Sequence, residues 1–68
     1  MDWREAIIAA AQQYAYAARC LDHAARLSES GIRRASMRHA AEAISQGAKL
    51  LGWAEMERKK AMEQPDDG

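Results

Sequence analysis

The sequence is poor in the residues that build β-sheets. It contains no Phe, Val or Thr, and only one Pro among its 68 residues. β-Branched and aromatic residues favour strands, whereas alanine, which occurs sixteen times, is the best helix former. The composition therefore argues against an all-β or α/β fold and predicts an all-α protein.

Cysteine, net charge and long apolar runs are scarce as well. The single cysteine, Cys20, excludes an intrachain disulfide and favours a reducing, cytoplasmic compartment. Ten basic and ten acidic residues give a formal net charge of +0, so the overall charge indicates no partner class. No apolar run approaches the ~20 residues of a membrane span, and we expect no membrane partner. Because so short a chain buries a thin core, we expect it to oligomerise.

Patterns typical of catalysis and metal binding are missing too. The sequence has no Gly-rich phosphate loop and no nucleophile elbow, so we expect no enzyme activity, no catalytic residue and no cofactor. Cys20 is expected to be a small, half-buried hydrophobe. His39 and Glu42 reverse the Glu-x-x-His order of helical di-iron sites. We therefore predict no metal site and place both residues on a solvated face.

Two long helices joined by a tight turn account for most of the chain. Asp2 and Glu5 form a variant of the capping box, which predicts a helix start. The only cluster of turn residues before the tail is at 28–31, and Pro65 stops the second helical stretch. We predict helix 1 at about 3–28, a turn at about 29–31, helix 2 at about 32–63 and a disordered tail at 65–68.

The glycines leave two local questions open. Gly31 is expected either to take a left-handed conformation after helix 1 or to follow a capping Ser30. Gly47 falls where close approach of the two helices explains the loss of a side chain. Gly52 lies away from the predicted contact, and it leaves open a break that would make 53–62 a short third helix.

Large apolar residues recur every seven positions in both predicted helices, and small residues follow at plus three and plus four. With the large positions named a, the small ones fall at d and e, which is a heptad typical of coiled-coil packing. We predict a two-helix antiparallel hairpin with an Ala-rich heptad seam, folded about residue 29, that pairs into a dimeric four-helix bundle. The predicted seam and dimer residues are Ile7, Tyr14, Leu21, Met37, Ile44 and Leu51 at a, with Ala17, Ala18, Ala40, Ala41 and Gly47 at small positions.

Several large apolar residues fall outside this heptad seam. A lone hairpin cannot bury all of them, and exposed aromatic patches usually mark a partner site. A second copy of the chain is expected to cover some of the aliphatic ones, and a different protein is favoured for the aromatic ones. The predicted partner-binding residues are Trp53, Tyr16, Trp3, Met56 and Leu50.

Charge is unevenly distributed along the chain although the total is zero. Residues 19–39 contain five arginines against two acidic residues, a net charge of +3, and the rest of the chain carries −3. A basic turn end is what an electrostatic phosphate site requires. The possible nucleic-acid residues are Arg26, Arg33, Arg34 and Arg38.

These patterns favour a small, non-catalytic protein-binding module. Its size and exposed aromatic residues are typical of a stoichiometric inhibitor or modulator of a larger bacterial protein such as a host regulator, in the manner of a phage- or plasmid-type accessory protein. The main alternative is a dimeric helical hairpin that binds RNA or DNA through its arginine-rich turn end. A structural subunit of a larger assembly is a third possibility.

Overall fold

The computed structural model describes residues 2–63, and these form two helices. Helix α1 runs over Trp3–Arg26 and helix α2 over Ser30–Glu63, with a three-residue connection at 27–29 between them. The helices pack against each other along their length in a rod with principal extents of 60 × 14 × 13 Å. The prediction of an all-α helical hairpin is thus confirmed. The predicted tail at 65–68 lies outside the described residues.

The ends of the helices differ from the predicted bounds by one or two residues. Asp2 is the N-cap of α1, and its backbone carbonyl accepts a hydrogen bond from Ala6 at 3.0 Å, but its side chain makes no capping hydrogen bond. Helix α1 ends at Arg26 because Leu27 is extended, with its N–H donating to the Ala24 carbonyl at 3.3 Å. Helix α2 begins at Ser30, so the turn has the predicted three residues but lies two residues earlier than the sequence predicted.

Both questions about the glycines have answers in the described residues. Gly31 lies in the first turn of α2, and no glycine between residues 2 and 63 has a positive φ. A left-handed glycine does not therefore end α1. Helix α2 continues through Gly52 to Glu63, so no third helix begins at Trp53.

Only small residues are buried between the two helices. Ala17 and Ala40 are 2% and 1% exposed, and together with Ala43 they form the central core cluster, against which Cys20 packs. No large side chain is fully buried in the described part of the chain. The buried residues are Ala6, Ala10, Ala17 and Ala24 of α1, with Ser36, Ala40, Ala43, Gly47 and Ala54 of α2.

The spacing of the buried residues defines the heptad positions that join the helices. In both helices these residues occupy d and the preceding g position, rather than a, d and e as the sequence analysis expected; in α1 the half-buried Gln13 and Cys20 complete the spacing by three and four. The pattern of α1 superimposes on that of α2 when the chain is folded about residue 30, close to the predicted 29. Small side chains at d and g bring the helix axes together on that side, and the a positions are left at the flank.

The large residues at a consequently do not meet within the hairpin. All six are between 36% and 53% exposed, and Ala18 and Ala41 at e are exposed with them. The expected pairing of Leu21 with Met37 across a buried seam is therefore replaced by two parallel stripes on one side of the rod. The hairpin core contains the small residues of the heptad and excludes its large ones.

Candidate functional site

The two stripes of large residues form one continuous surface. Leu21 of α1 and Met37 of α2 line the same shallow groove, with Ala24, Ala25 and Arg33 beside them. Residues seven apart share a side of a helix, so the remaining members of each stripe lie on that side as well. We call this surface the apolar face. Its large members are Ile7, Tyr14, Leu21, Met37, Ile44 and Leu51, and its small members are Ala11, Ala18, Ala25, Ala41 and Ala48.

Tyr14 connects the apolar face to the contact between the helices. Its ring lies over Gly47, where an added Cβ would be 3.0 Å from Cε2 and 3.1 Å from Cζ of the tyrosine. A side chain at Gly47 would therefore push the ring away, which is the close approach that the sequence predicted for this glycine. Gly52 has nothing within 4 Å of the same ideal position.

The opposite side of the rod carries a different surface, which is mostly polar. A second shallow groove there is lined by Tyr16 and Ala43 together with the polar side chains of Gln13, His39, Glu42 and Gln46. Tyr16 is 44% exposed, and Trp53, seven residues beyond Gln46 on the same side of α2, is 39% exposed. We call this surface the Tyr16–Trp53 face.

Tyr16 has two neighbours on its own helix. The guanidinium of Arg19 lies 6.0 Å from the centre of the tyrosine ring, at the outer limit of a cation–π contact. The neighbouring Cys20 side chain, one turn along, raises the pKa of the Tyr16 phenol above its usual range. From its exposed position the phenol can both donate and accept a hydrogen bond.

The other predicted partner-binding residues are less available. Trp3 is half-buried, and the guanidinium of Arg4 covers its ring at 4.6 Å from the centroid. Leu50 is half-buried at a g position, where it faces the contact between the helices. Met56 is exposed near the end of α2. The structure thus leaves Trp53, Tyr16 and Met56 on the surface and uses Trp3 and Leu50 partly for packing.

The arginines at the turn end divide into two pairs. Arg26 forms an ion pair with Asp22 at 3.2 Å, and Arg33 donates from Nη2 to the carbonyls of Leu27 and Ser28, both at 3.3 Å. Arg33 therefore satisfies carbonyls that the end of α1 leaves without helical partners. Arg34 and Arg38 make no ion pair within residues 2–63.

The opposite end of the rod has local ion pairs within α2. Arg58 donates to Glu55 at 3.0 Å and Lys60 to Glu57 at 3.5 Å. The hydrogen bond and charge of Arg58 hold the pKa of Glu55 below its usual range, and those of Glu55 raise the pKa of Arg58. All four side chains are substantially exposed, so these pairs add little to stability.

Residues 2–63 hold neither a cluster of metal-ligating side chains nor a membrane-spanning stretch. No group of three or more His, Cys, Asp or Glu side chains gathers there in a way that could hold a metal ion, and His39 and Glu42 line the polar groove instead. Neither α1 nor α2 has a stretch long and apolar enough to cross a membrane.

Comparison with family models, curated proteins and solved structures found no match. Sequence reasoning missed the g positions, such as Ala6 and Ala43, as part of the contact between the helices. The signal was present in the alternation of small residues by three and four, but the larger residues at a have the same seven-residue period.

Proposed function

We propose that this chain is a small, non-catalytic protein-binding module that acts as a homodimeric four-helix bundle. In this proposal a second copy covers the apolar face, and a larger protein binds the Tyr16–Trp53 face. The observation that carries the proposal is the exposure of Tyr16 and Trp53, on the side of the rod away from the apolar face. Neither residue is among the buried contacts between the helices.

The composition of the Tyr16–Trp53 face supports a protein partner. Tyrosine and tryptophan are enriched among the residues that dominate binding energies, because each offers a large apolar area together with a polar group. Around Tyr16 lie polar side chains such as Gln13, His39 and Gln46, which provide hydrogen-bonding groups for a rim. An aromatic centre with a polar rim is the usual anatomy of a protein interface.

The mode of action follows from the size of the chain. A small hairpin with the two shallow grooves described above is suited to act on a macromolecule by occupying part of its surface. We therefore propose a stoichiometric inhibitor or modulator of a larger bacterial protein, such as a host regulator, of the kind that phages and plasmids encode. Binding in this mode requires one Tyr16–Trp53 face for each molecule of the target.

Affinity purification with tagged full-length variants tests the proposal. Wild type should retain a defined protein after nuclease treatment, and purified partner should bind it in a calorimetric titration. Removing an aromatic anchor commonly costs ~2–4 kcal/mol, so Trp53→Ala and Tyr16→Ala should weaken binding at least about thirtyfold. Ile8→Ala, a change at an exposed position outside both faces, is the matched control and should bind normally. Normal binding by the Trp53/Tyr16 double variant, with dimerisation intact, would contradict the proposed site.

Nucleic-acid binding remains the second candidate because Arg34 and Arg38 make no ion pair in the described residues. A phosphate partner would make the affinity fall steeply with salt, and each lost contact would flatten the slope by about one unit. Arg34→Ala and Arg38→Ala are the informative changes, since Arg33 also holds the end of α1. Salt-sensitive binding of RNA or DNA that these two changes abolish, while Trp53→Ala leaves it intact, would favour this function.

A further inference from the structure

The apolar face is uncovered in the hairpin, and we propose that the second copy covers it in an antiparallel arrangement, with the two turns at opposite ends of the dimer. The inference rests on the homodimer of the proposed function and adds its interface and orientation. It is carried by three properties of the face, which are its area, the order of large and small residues, and the charge at its two ends.

The area of the apolar face suits a stable dimer. The face follows the 24 residues of α1, which is about 36 Å at 1.5 Å per residue, and spans two helices of roughly 10 Å each. The product is about 700 Å² on each copy, close to the ~800 Å² per partner that stable complexes bury. The hairpin itself buries only small side chains, and six of the twelve exposed large apolar side chains in the described residues would be buried here.

The order of residue sizes along α1 is self-complementary. A two-fold axis that crosses α1 at residue 16, perpendicular to the helix and parallel to the face, places each large residue opposite a small one. Tyr14 then faces Ala18 of the partner subunit, Leu21 faces the partner's Ala11, and Ile7 faces the partner's Ala25. Alternation of large and small residues across facing positions lets two surfaces interdigitate without voids.

The same two-fold axis also places large residues of α2 opposite small ones. When it crosses α2 between residues 42 and 43, Ile44 faces Ala41 of the partner subunit and Met37 faces the partner's Ala48. The hairpin folds about residue 30 and sets residue 16 opposite residue 44, so the crossing points on the two helices lie within about 2 Å of the same level at 1.5 Å per residue. One axis therefore matches both stripes, as the isologous interface of a two-fold dimer requires.

A parallel arrangement lacks this match. When both turns lie at one end, each α1 lies over the partner's α2. Each layer of one hairpin then faces the same layer of the partner subunit. The layer of Tyr14 and Ile44 would meet its own copy, and layers of alanine would meet alanine. Large residues on large ones overpack, and small residues on small ones leave cavities, and both destabilise a core.

Charge favours the antiparallel arrangement as well. Among the described residues, 19–39 at the turn end carry a net charge of +3, and the rest, with five basic and six acidic side chains, carry −1. Antiparallel copies place each basic turn end beside the partner's opposite end, whereas parallel copies place the two basic ends together. Arg34, which makes no ion pair within the hairpin, lies opposite Leu51 of the partner subunit. Its aliphatic stem covers that leucine while its guanidinium points toward the partner's Glu55, one helical turn beyond.

Distance measurement between spin labels tests the orientation in the full-length protein. Glu29, in the exposed connection between the helices, is changed to cysteine and labelled in a Cys20→Ala background. The antiparallel dimer separates the two labels axially by 26 residues of helix, or about 40 Å at 1.5 Å per residue. Two further labelled variants locate the interface: Ile44→Glu, on the apolar face, and Ile8→Glu, its exposed control outside that face.

We expect a distance of about 40 Å that Ile8→Glu preserves. Ile44→Glu should remove the dipolar signal, because a buried unpaired carboxylate would weaken the dimer more than about 100-fold. A distance near 20 Å, about two helix diameters, would overturn the antiparallel arrangement and leave the proposed dimer intact. A long distance that Ile44→Glu leaves unchanged would overturn the apolar face as the interface. A folded monomer with no dipolar signal would overturn both the inference and the proposed dimer.

Discussion

The contact inside the hairpin and the apolar face beside it use the same seven-residue repeat with opposite kinds of residue. Inside, the buried residues at positions d and g are alanine, glycine and serine, and nothing larger is fully buried in the described residues. On the apolar face, position a carries only large residues, and Ile44 is 42% exposed. The comparison shows how one seven-residue repeat can specify two interfaces. Small side chains place positions d and g against the other helix of the hairpin, and large side chains leave position a outside that contact.

The strongest test of this difference places a large residue in the contact between the two helices, where only small residues are buried. Ala17→Leu should lower the free energy of unfolding by about 3 kcal/mol, because the core cluster with Ala40 and Ala43 has no room for three more carbons. Ala15→Leu, on the exposed outer side of α1, should change it by less than about 0.5 kcal/mol. Urea unfolding measures both. Equal effects would show that d does not form the contact.

The next test removes a large residue from the apolar face. Ile44→Ala should destabilise the assembled protein by about 2 kcal/mol per copy, through lost burial against the partner. Ile8→Ala, at a position that is 60% exposed and outside the face, should change stability by less than about 0.5 kcal/mol. Thermal unfolding at several protein concentrations separates the two variants. If Ile44→Ala left the stability unchanged, the apolar face would be exposed to solvent and not buried against a second copy.

A smaller effect distinguishes two glycines in the same helix. Gly52→Ala should stabilise the protein by about 1 kcal/mol, since an added Cβ meets nothing within 4 Å and alanine favours helix. Gly47→Ala should lose that gain, because the Cβ would lie 3.0 Å from Cε2 of Tyr14.

Thermal unfolding of four variants checks the cause of this difference. In a Tyr14→Ala background the Gly47→Ala gain should return, as expected for two residues in contact. A full gain from Gly47→Ala with Tyr14 in place would contradict the close approach of the tyrosine ring.

The smallest expected effect compares two arginines at the turn end. Arg33→Ala should lower the free energy of unfolding by about 0.5–1 kcal/mol, because it removes hydrogen bonds to the carbonyls of Leu27 and Ser28. Arg38→Ala removes a side chain without an ion pair in the described residues and should leave stability unchanged. Chemical unfolding at matched salt measures the difference. An Arg38 effect as large as that of Arg33 would argue against this role.

Much of the fold followed from the sequence because its signals are local. Alanine content, the turn residues at 28–31 and the seven-residue repeat together predict two helices that pack as a hairpin. The end of α1 was placed two residues too late, because the sequence shows no signal for the extended conformation of Leu27. Helix α2 begins at Ser30, so Gly31 lies within the helix and not in the predicted turn.

The assignment of the contact was harder to predict, for a physical reason. Five of the six large residues at a have small neighbours at both d and e, the exception being Leu51 with Glu55 at e, and burial energy favours putting the large residue inside. The structure instead packs d against g, which brings the helices closer and leaves Tyr14 to lie across Gly47 from the flank. The same limit applies to the candidate sites, since sequence alone did not show that Trp3 and Leu50 are half-buried while Tyr16 and Trp53 are exposed.

Sedimentation equilibrium of the wild-type chain at micromolar concentration tests the central claim most directly. If the hairpin contact is too small to stand alone and the apolar face joins two copies, the folded species should have a mass of 15.2 kDa, twice the 7.6 kDa chain. Its thermal midpoint should rise with protein concentration, since association stabilises the folded state by mass action. A folded 7.6 kDa monomer, with a midpoint independent of concentration, would contradict the account.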